Sequence, residues 1–153
     1  MSENLMAIKL FDDGAAAYLK NDFKASIKLF SQALKYDSKF ALVYSSRGAA
    51  YLKTNKINQA LSDLTHAIKL DPKYARAYHL RGLAYEKAGN VARAYRDFDR
   101  AIEIDPDLSD AYRSRDSVLD KKIDERRSNE DFDMADHLAA MRVALFIGDE
   151  KAA

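Results

Sequence analysis

The stretch Tyr44-Ser-Ser-Arg-Gly-Ala-Ala-Tyr51 recurs further along the chain as Tyr78-His-Leu-Arg-Gly-Leu-Ala-Tyr85, with nothing inserted or deleted between the two copies. A fixed period of about 34 residues is typical of repeat arrays, in which each unit buries its apolar face against its neighbours. Further pairs of positions keep the same spacing, namely Ala60 and Ala94, Leu64 and Phe98, Ala67 and Ala101, and Asp71-Pro72 and Asp105-Pro106.

The residue types at these positions predict two packed helices in each copy. Gly48 and Ala60 are small, which suits the point where two helices cross at the short end of the usual distance range of about 8–10 Å. Pro72 lacks an amide hydrogen and disfavours helix at the residue before it, so it marks the end of a copy. With only five Gly and two Pro in 153 residues, we predict an all-α fold.

Two weaker copies flank the strong ones. The earlier copy carries Gly14 and Phe30 at the matching positions, with Ser26 in place of the small alanine. A partial fourth copy begins with Tyr112, and Asp116 there replaces the glycine. Together the copies predict helices over residues 4–19, 22–36, 41–53, 57–70, 75–87, 91–104 and 109–127.

This pattern resembles the tetratricopeptide repeat (TPR) family. That family has a helix–turn–helix unit of about 34 residues with an aromatic residue, Gly-x-x-Tyr, two small alanines, a second aromatic and a proline at fixed offsets. The resemblance covers repeats at about 7–40, 41–74 and 75–108, with 109–127 as a capping helix. It implies that residues 1–127 form a right-handed superhelix, or α-solenoid, of antiparallel helix pairs.

Residues 128–153 are predicted to form a separate acidic, amphipathic C-terminal helix and tail. An apolar stripe recurs at helical spacing through Met134, Leu138, Met141 and Leu145. Residues 1–108 have an excess of bases, whereas the rest of the chain has an excess of acids. The helix can cap the last repeat, as terminal repeats require, or lie in the groove of its own or a second molecule.

Three arginines, Arg47, Arg81 and Arg115, occupy one position of the repeat that the family often fills with leucine. In the two full copies an aspartate follows sixteen residues later, as Asp63 and Asp97. We therefore expect an ion pair between the first and second helix of each of these repeats.

The resemblance also implies a binding surface. In the family, the stacked first helices line a concave groove that takes extended peptides or partner helices. The groove would be apolar toward its N-terminal half and charged toward its C-terminal half, which suits a segment with apolar anchors. Carrying the inward-facing positions across predicts a partner-binding set of Phe11, Tyr18, Leu42, Ser46, Leu52, Arg76, His79, Leu80, Leu83 and Arg113.

One subclass of the family, the chaperone-binding carboxylate clamp, is not expected. It grips a C-terminal carboxylate with a Lys, two Asn and a further pair of basic residues. The corresponding positions here hold Phe11, Ala15, Ser46, Arg76 and Leu80. Because only Arg76 is a cation, these positions cannot supply the several charged donors that the clamp requires.

Composition argues against catalysis and against several other functions. The chain has no cysteine, and its three histidines lie on different predicted helices, so we expect no metal or cofactor. No Ser-His-Asp set, phosphate loop or glycine-rich nucleotide fingerprint occurs, and we predict that the protein is not an enzyme. The near-neutral charge argues against nucleic acid, and no apolar run is long enough for a membrane span. A cytoplasmic location is the default expectation.

The leading hypothesis is therefore a protein-interaction scaffold or adaptor that binds a peptide or amphipathic helix of a protein partner. A second hypothesis is a self-assembling scaffold, a homo-oligomer in which the C-terminal helix of one chain engages another. A third is an accessory subunit of an enzyme complex.

Overall fold

The computed structural model describes residues 2–127 and Met141. Residues 2–127 are α-helical throughout apart from short connections. The predicted helices agree with the observed ones to within one residue. They are α1 (Glu3–Leu19), α2 (Phe23–Tyr36), α3 (Ala41–Lys53), α4 (Ile57–Leu70), α5 (Ala75–Lys87), α6 (Val91–Ile104) and α7 (Ser109–Arg127). The predicted C-terminal helix over 128–153 lies outside the described residues, Met141 excepted.

The helices pack as successive antiparallel pairs, α1 with α2, α3 with α4 and α5 with α6, and α7 packs on α6. Each pair also packs against the next one, through α2 with α3 and α4 with α5. The apolar side chains between them form a row of small clusters rather than one central core. Stability therefore arises from contacts between neighbours, as expected of a repeat array.

The turn inside each helix pair has one geometry. Asn21, Asn55 and Gly89 occupy the same position in successive copies, and their φ angles of 60°, 58° and 80° are left-handed. Asparagine and glycine are the residue types that adopt this conformation most readily. The next amide then donates back to the carbonyl five residues earlier, as Lys56 N does to Tyr51 O at 2.9 Å. This Schellman-type closure ends each first helix and reverses the chain.

Close approach of the paired helices depends on the glycines at the crossing points. A Cβ atom on Gly48 would lie 2.8 Å from Leu64 Cγ, and one on Gly82 would contact the ring of Phe98 more closely still. Leu64 and Phe98 are fully buried. The glycine and the large residue therefore form one complementary unit, which recurs with Gly14 and Phe30 at the start of the array.

The predicted ion pairs are present. Arg47 donates from Nε and Nη2 to the two carboxylate oxygens of Asp63, at 2.7 and 2.8 Å. Arg81 makes the same two-point contact with Asp97, at 2.7 and 2.9 Å. The hydrogen bond to Asp63 raises the pKa of Arg47 above its ordinary value. Burial on its own would lower the pKa of Arg81, but the bond to Asp97 and its charge raise it.

The arginines also reach back to the preceding repeat, which the sequence did not predict. Arg47 Nη1 donates to Ser31 Oγ at 3.0 Å, sixteen residues earlier. Arg115 likewise bonds to a residue of the preceding repeat, since its Nη1 donates to Asp99 Oδ1 at 2.9 Å. The guanidinium of Arg47 therefore fixes the first helix against the helix before it as well as against the helix after it.

Candidate functional site: a concave groove

The first helices α1, α3, α5 and α7 line a continuous concave surface. Two adjoining cavities open onto it, with volumes of about 340 and 690 Å³. Both cavities are lined by Tyr18, Ala49 and Leu80, so they are two parts of one groove. Cavities of this size with predominantly apolar walls are typical of binding sites.

The smaller cavity, formed by α1, α3 and the start of α5, is the apolar end of the groove. Leu42 is 39% exposed at its wall. Ser46 and Arg76 add polar groups to the same wall, and Arg76 is exposed. An apolar side chain with a neighbouring acid or acceptor would complement this end.

The larger cavity continues along α3 and α5 to the end of α7. Leu52 is only 7% exposed and also packs in the core, so it forms the floor, and Leu83 lies beside it. At the rim, Lys121 Nζ of α7 donates to Glu86 Oε1 of α5 at 2.6 Å. This ion pair joins two first helices across the groove, and its lysine is largely exposed to solvent.

A third cavity of about 360 Å³ forms the polar end, between α5 and α7. His79 Nε2 lies 3.0 Å from Ser114 Oγ, and the imidazole packs against Phe98 with ring centroids 5.7 Å apart. Burial lowers the pKa of His79, Asp110 opposes that effect and Arg76 adds to it. The histidine is therefore neutral at pH 7 and acts as a hydrogen-bonding group.

The structure brings nine of the ten predicted groove residues to these three cavities. The exception is Phe11, whose ring packs between Phe30 and Phe40 at centroid distances of 5.8 and 5.6 Å. Phe11 is thus part of the packing between the first and second repeats. The nine residues at the cavities are Tyr18, Leu42, Ser46, Leu52, Arg76, His79, Leu80, Leu83 and Arg113.

Several lining residues were missed at the sequence level. Lys53 and Lys87 share a repeat position and both line the larger cavity. Lys121 and Glu125 also line it, and they follow Ser117, which lines the third cavity, at spacings of four residues. The helical period along α7 is therefore the signal that could have identified them.

Residues 2–127 and Met141 contain neither a metal-binding cluster nor a membrane span. No group of three or more His, Asp or Glu side chains there is arranged to hold a metal ion. Across the same residues, no helix combines the length and apolarity needed to cross a membrane.

Comparison with known proteins agrees with the architecture. A family profile described as tetratricopeptide repeat matches residues 48–117, and one described as TPR repeat matches residues 14–55. Together they span residues 14–117, more than half of the chain. The chain belongs to the tetratricopeptide repeat family, and its fold is the right-handed superhelix of antiparallel helix pairs that the resemblance implied.

Solved structures of TPR domains superimpose on the array. The TPR domain of Arabidopsis OM64 has 26% sequence identity and a TM-score of 0.77, covering 78% of this chain and 99% of that one. The Sgt2 TPR domain from Aspergillus fumigatus has 26% identity and a TM-score of 0.75, covering 84% and 89%. The second TPR domain of human RPAP3, in complex with the HSP70 peptide SGPTIEEVD, has 27% identity and a TM-score of 0.73, covering 76% and 98%. A search of curated protein sequences gave no match.

Proposed function

We propose that the protein is a non-enzymatic interaction adaptor, acting in the cytoplasm, whose groove binds a peptide segment or amphipathic helix of a protein partner. The observation that carries this proposal is the pair of adjoining apolar cavities that share Tyr18, Ala49 and Leu80. The peptide complex of the similar RPAP3 domain supports the same use of the fold.

The partner segment is proposed to carry two apolar anchors, one for each cavity, and acidic residues between or beside them. Leu42 and Leu80 would contact the first anchor, and Leu52 and Leu83 the second. Cations outnumber carboxylates among the charged side chains that line the three cavities. This excess favours an acidic segment, since opposite charges guide association and suppress wrong partners.

A free C-terminal carboxylate is not part of the proposed ligand. The positions that form a carboxylate clamp in other family members hold Phe11, Ala15, Ser46, Arg76 and Leu80 here. Phe11 is engaged with Phe30 and Phe40, and Arg76 stands as the one cation of the set. Recognition would therefore depend on internal residues of the partner.

A displayed library of random peptides, each long enough to span both cavities, would test this directly. Selected peptides should contain apolar pairs, and amidation of their C-termini should change the Kd less than about twofold. A ten-fold or larger loss on amidation would instead indicate a carboxylate site. Since each factor of ten in Kd corresponds to about 1.4 kcal/mol, these outcomes are well separated in a titration.

The groove is tested by the variant Leu42→Glu plus Leu83→Glu, which should weaken the selected peptides at least ten-fold. A matched control, Tyr36→Glu plus Ser62→Glu, adds the same charge at exposed positions of the second helices α2 and α4. It should leave the Kd unchanged. An equal loss of peptide affinity in both variants, or a loss in neither, would place the binding surface elsewhere.

Light scattering at several concentrations would test the alternative of self-assembly, which predicts that the molecular mass rises with concentration.

A further inference from the structure

One repeat position on the first helices changes from apolar to basic along the groove. Its successive occupants, each one period after the last, are Leu19 of α1, Lys53 of α3, Lys87 of α5 and Lys121 of α7. Leu19 lines the smaller cavity, whereas the three lysines line the larger one. We call Lys53, Lys87 and Lys121 the lysine row. It places three cations, one from each of three neighbouring first helices, on one cavity.

Helix ends alone do not explain the lysine row. A lysine in the last turn interacts favourably with the negative end of the helix dipole, and Lys53 and Lys87 are the last residues of α3 and α5. Lys121, however, lies well before the end of α7 at Arg127, and α1 has no basic residue in its last turn. The position is therefore basic where it borders the larger cavity, whether or not a helix ends there.

Two lysines of the row have no carboxylate partner within residues 2–127. The third, Lys121, donates from Nζ to Glu86 Oε1 at 2.6 Å. Glu125, the other carboxylate that lines the larger cavity, accepts from Lys122 Nζ at 3.1 Å. The remaining two lysines are exposed and take part in none of the ion pairs of this part of the chain. The larger cavity therefore combines apolar walls with two lysines that are free to bind carboxylates of a ligand.

The smaller cavity is apolar on both of its sides. Leu19 is 82% exposed where α1 ends, and Leu42 is 39% exposed where α3 begins. Exposed apolar side chains that border one cavity are typical of a contact surface. One period after Leu42 the same position holds Arg76, and then Asp110, whose carboxylate bonds to Arg113 at 3.3 Å. This side of the groove therefore also turns from apolar to charged, but only the lysine row keeps one sign of charge.

We infer that the lysine row binds acidic side chains of the partner segment, while Leu19 and Leu42 bind its first apolar anchor, so that the segment lies in one order along the groove. This inference rests on the function proposed above. The acids follow the first anchor, from Arg76 of α5 to Lys121 of α7, and flank the second anchor. The reverse order would place carboxylates against exposed leucines, where no hydrogen bond offsets their desolvation. The partner is therefore a protein segment that is apolar at one end and acidic toward the other.

Two synthetic peptides of equal length and composition test the order. In the ordered peptide all the glutamates follow the first leucine, and in the mixed peptide half of them precede it. The ordered peptide should bind at least about five-fold more tightly at low ionic strength, and the difference should shrink as salt is added, because salt screens exposed charges. Equal affinities of the two peptides would overturn the inference.

Charge reversal tests the lysine row itself. Lys53→Glu plus Lys87→Glu should weaken the ordered peptide at least about five-fold, since attractions between exposed charges become repulsions. The control variant, Lys35→Glu plus Lys69→Glu, changes the net charge equally at exposed positions near the ends of α2 and α4, and should leave the Kd unchanged. A peptide with lysines in place of the glutamates should bind the first variant more tightly than the wild type, which also shows that this variant is folded. Equal weakening by both variants would contradict the inference, because net charge alone would then explain it.

A nitroxide label on the ordered peptide shows its direction along the array. At the acidic end, the label should broaden the amide signals of α7, and at the apolar end it should broaden those of α1. Broadening of the α1 signals by the label at the acidic end would mean that the assigned order is wrong.

The same peptide separates this inference from the proposed function. Affinity that is lost in Leu42→Glu plus Leu83→Glu but kept in Lys53→Glu plus Lys87→Glu would leave the groove as the binding surface and remove the role of the lysine row. Affinity that is kept in both variants would overturn the inference together with the proposed function.

Discussion

Helices α3 and α5 each have two faces, one toward the second helix of the repeat and one toward the groove, and residue types repeat more closely on the first face than on the second. The face toward the second helix repeats closely, because Gly48 and Gly82 must admit a large side chain with no space to spare. The face toward the groove repeats less closely. Lys53 and Lys87 share a position there, but Leu42 in α3 corresponds to Arg76 in α5, one period later. Positions fixed by helix packing keep their residue type along the array, whereas several positions on the groove wall differ from one repeat to the next.

The largest expected difference between the two faces concerns stability. Phe98→Ala removes a fully buried ring beside Gly82, and should lower the free energy of unfolding by about 3–5 kcal/mol. Leu42→Ala, at a position 39% exposed in the groove, should change it by at most about 1 kcal/mol. Urea unfolding followed by circular dichroism measures both. Similar losses at the two sites would mean that the groove wall is part of the packed core.

A smaller effect is expected from the ion pairs that join the helices. Arg81→Ala leaves the carboxylate of Asp97, whose side chain is 9% exposed, without its main partner. An unsatisfied buried acceptor of this kind should cost about 1–3 kcal/mol. Arg100→Ala removes an exposed pair with Glu103, and it should destabilise the fold less than Arg81→Ala, because water screens an exposed pair. If the two substitutions lowered the free energy of unfolding equally in urea, the buried bond to Asp97 would stabilise the fold no more than an exposed pair does.

The smallest effect is the pH dependence that His79 adds at the polar end of the groove. Because burial lowers the pKa of His79 in the folded chain, the unfolded chain binds more protons below the ordinary histidine pKa of about 6.5. Stability should therefore fall as the pH drops below about 6.5, and level off below the folded pKa. Subtracting the profile of a His79→Gln variant isolates this contribution from that of the carboxylates. If the free energy of unfolding changed by the same amount between pH 7 and pH 5 in the wild type and in the His79→Gln variant, the pKa of His79 would not be lowered by burial.

Within residues 2–127 the fold could be predicted almost completely because its determinants are local and repeat. Asn55 and Gly89 mark the turns, and Pro72 and Pro106 mark the joints between repeats. These residues allowed the helix ends to be predicted to within one residue. The Arg–Asp pairs were also predictable, since both partners recur at a spacing of sixteen residues. That prediction is confirmed for both complete repeats.

The remaining features were harder because their chemistry changes from copy to copy. The backward bonds of the arginines go to Ser31, Thr65 and Asp99, which share a position but not a residue type. The depth of the groove depends on how far each helix pair rotates relative to the last, and no single residue encodes that rotation. The choice of ligand-binding residues in the groove stays a prediction for the same reason.

The backward bond of Arg47 to Ser31 has a consequence for how such a chain can change in length. The second repeat donates a hydrogen bond from the guanidinium of Arg47 to Ser31 of the repeat before it. It also provides the hydroxyl of Thr65, which accepts a hydrogen bond from Arg81 of the repeat after it. Duplication of residues 41–74 within the gene would place matching halves of this joint at the new boundary between the two copies, where Arg47 of the second copy would face Thr65 of the first. Recombination in steps of one whole repeat can therefore lengthen the array without requiring a new contact to evolve.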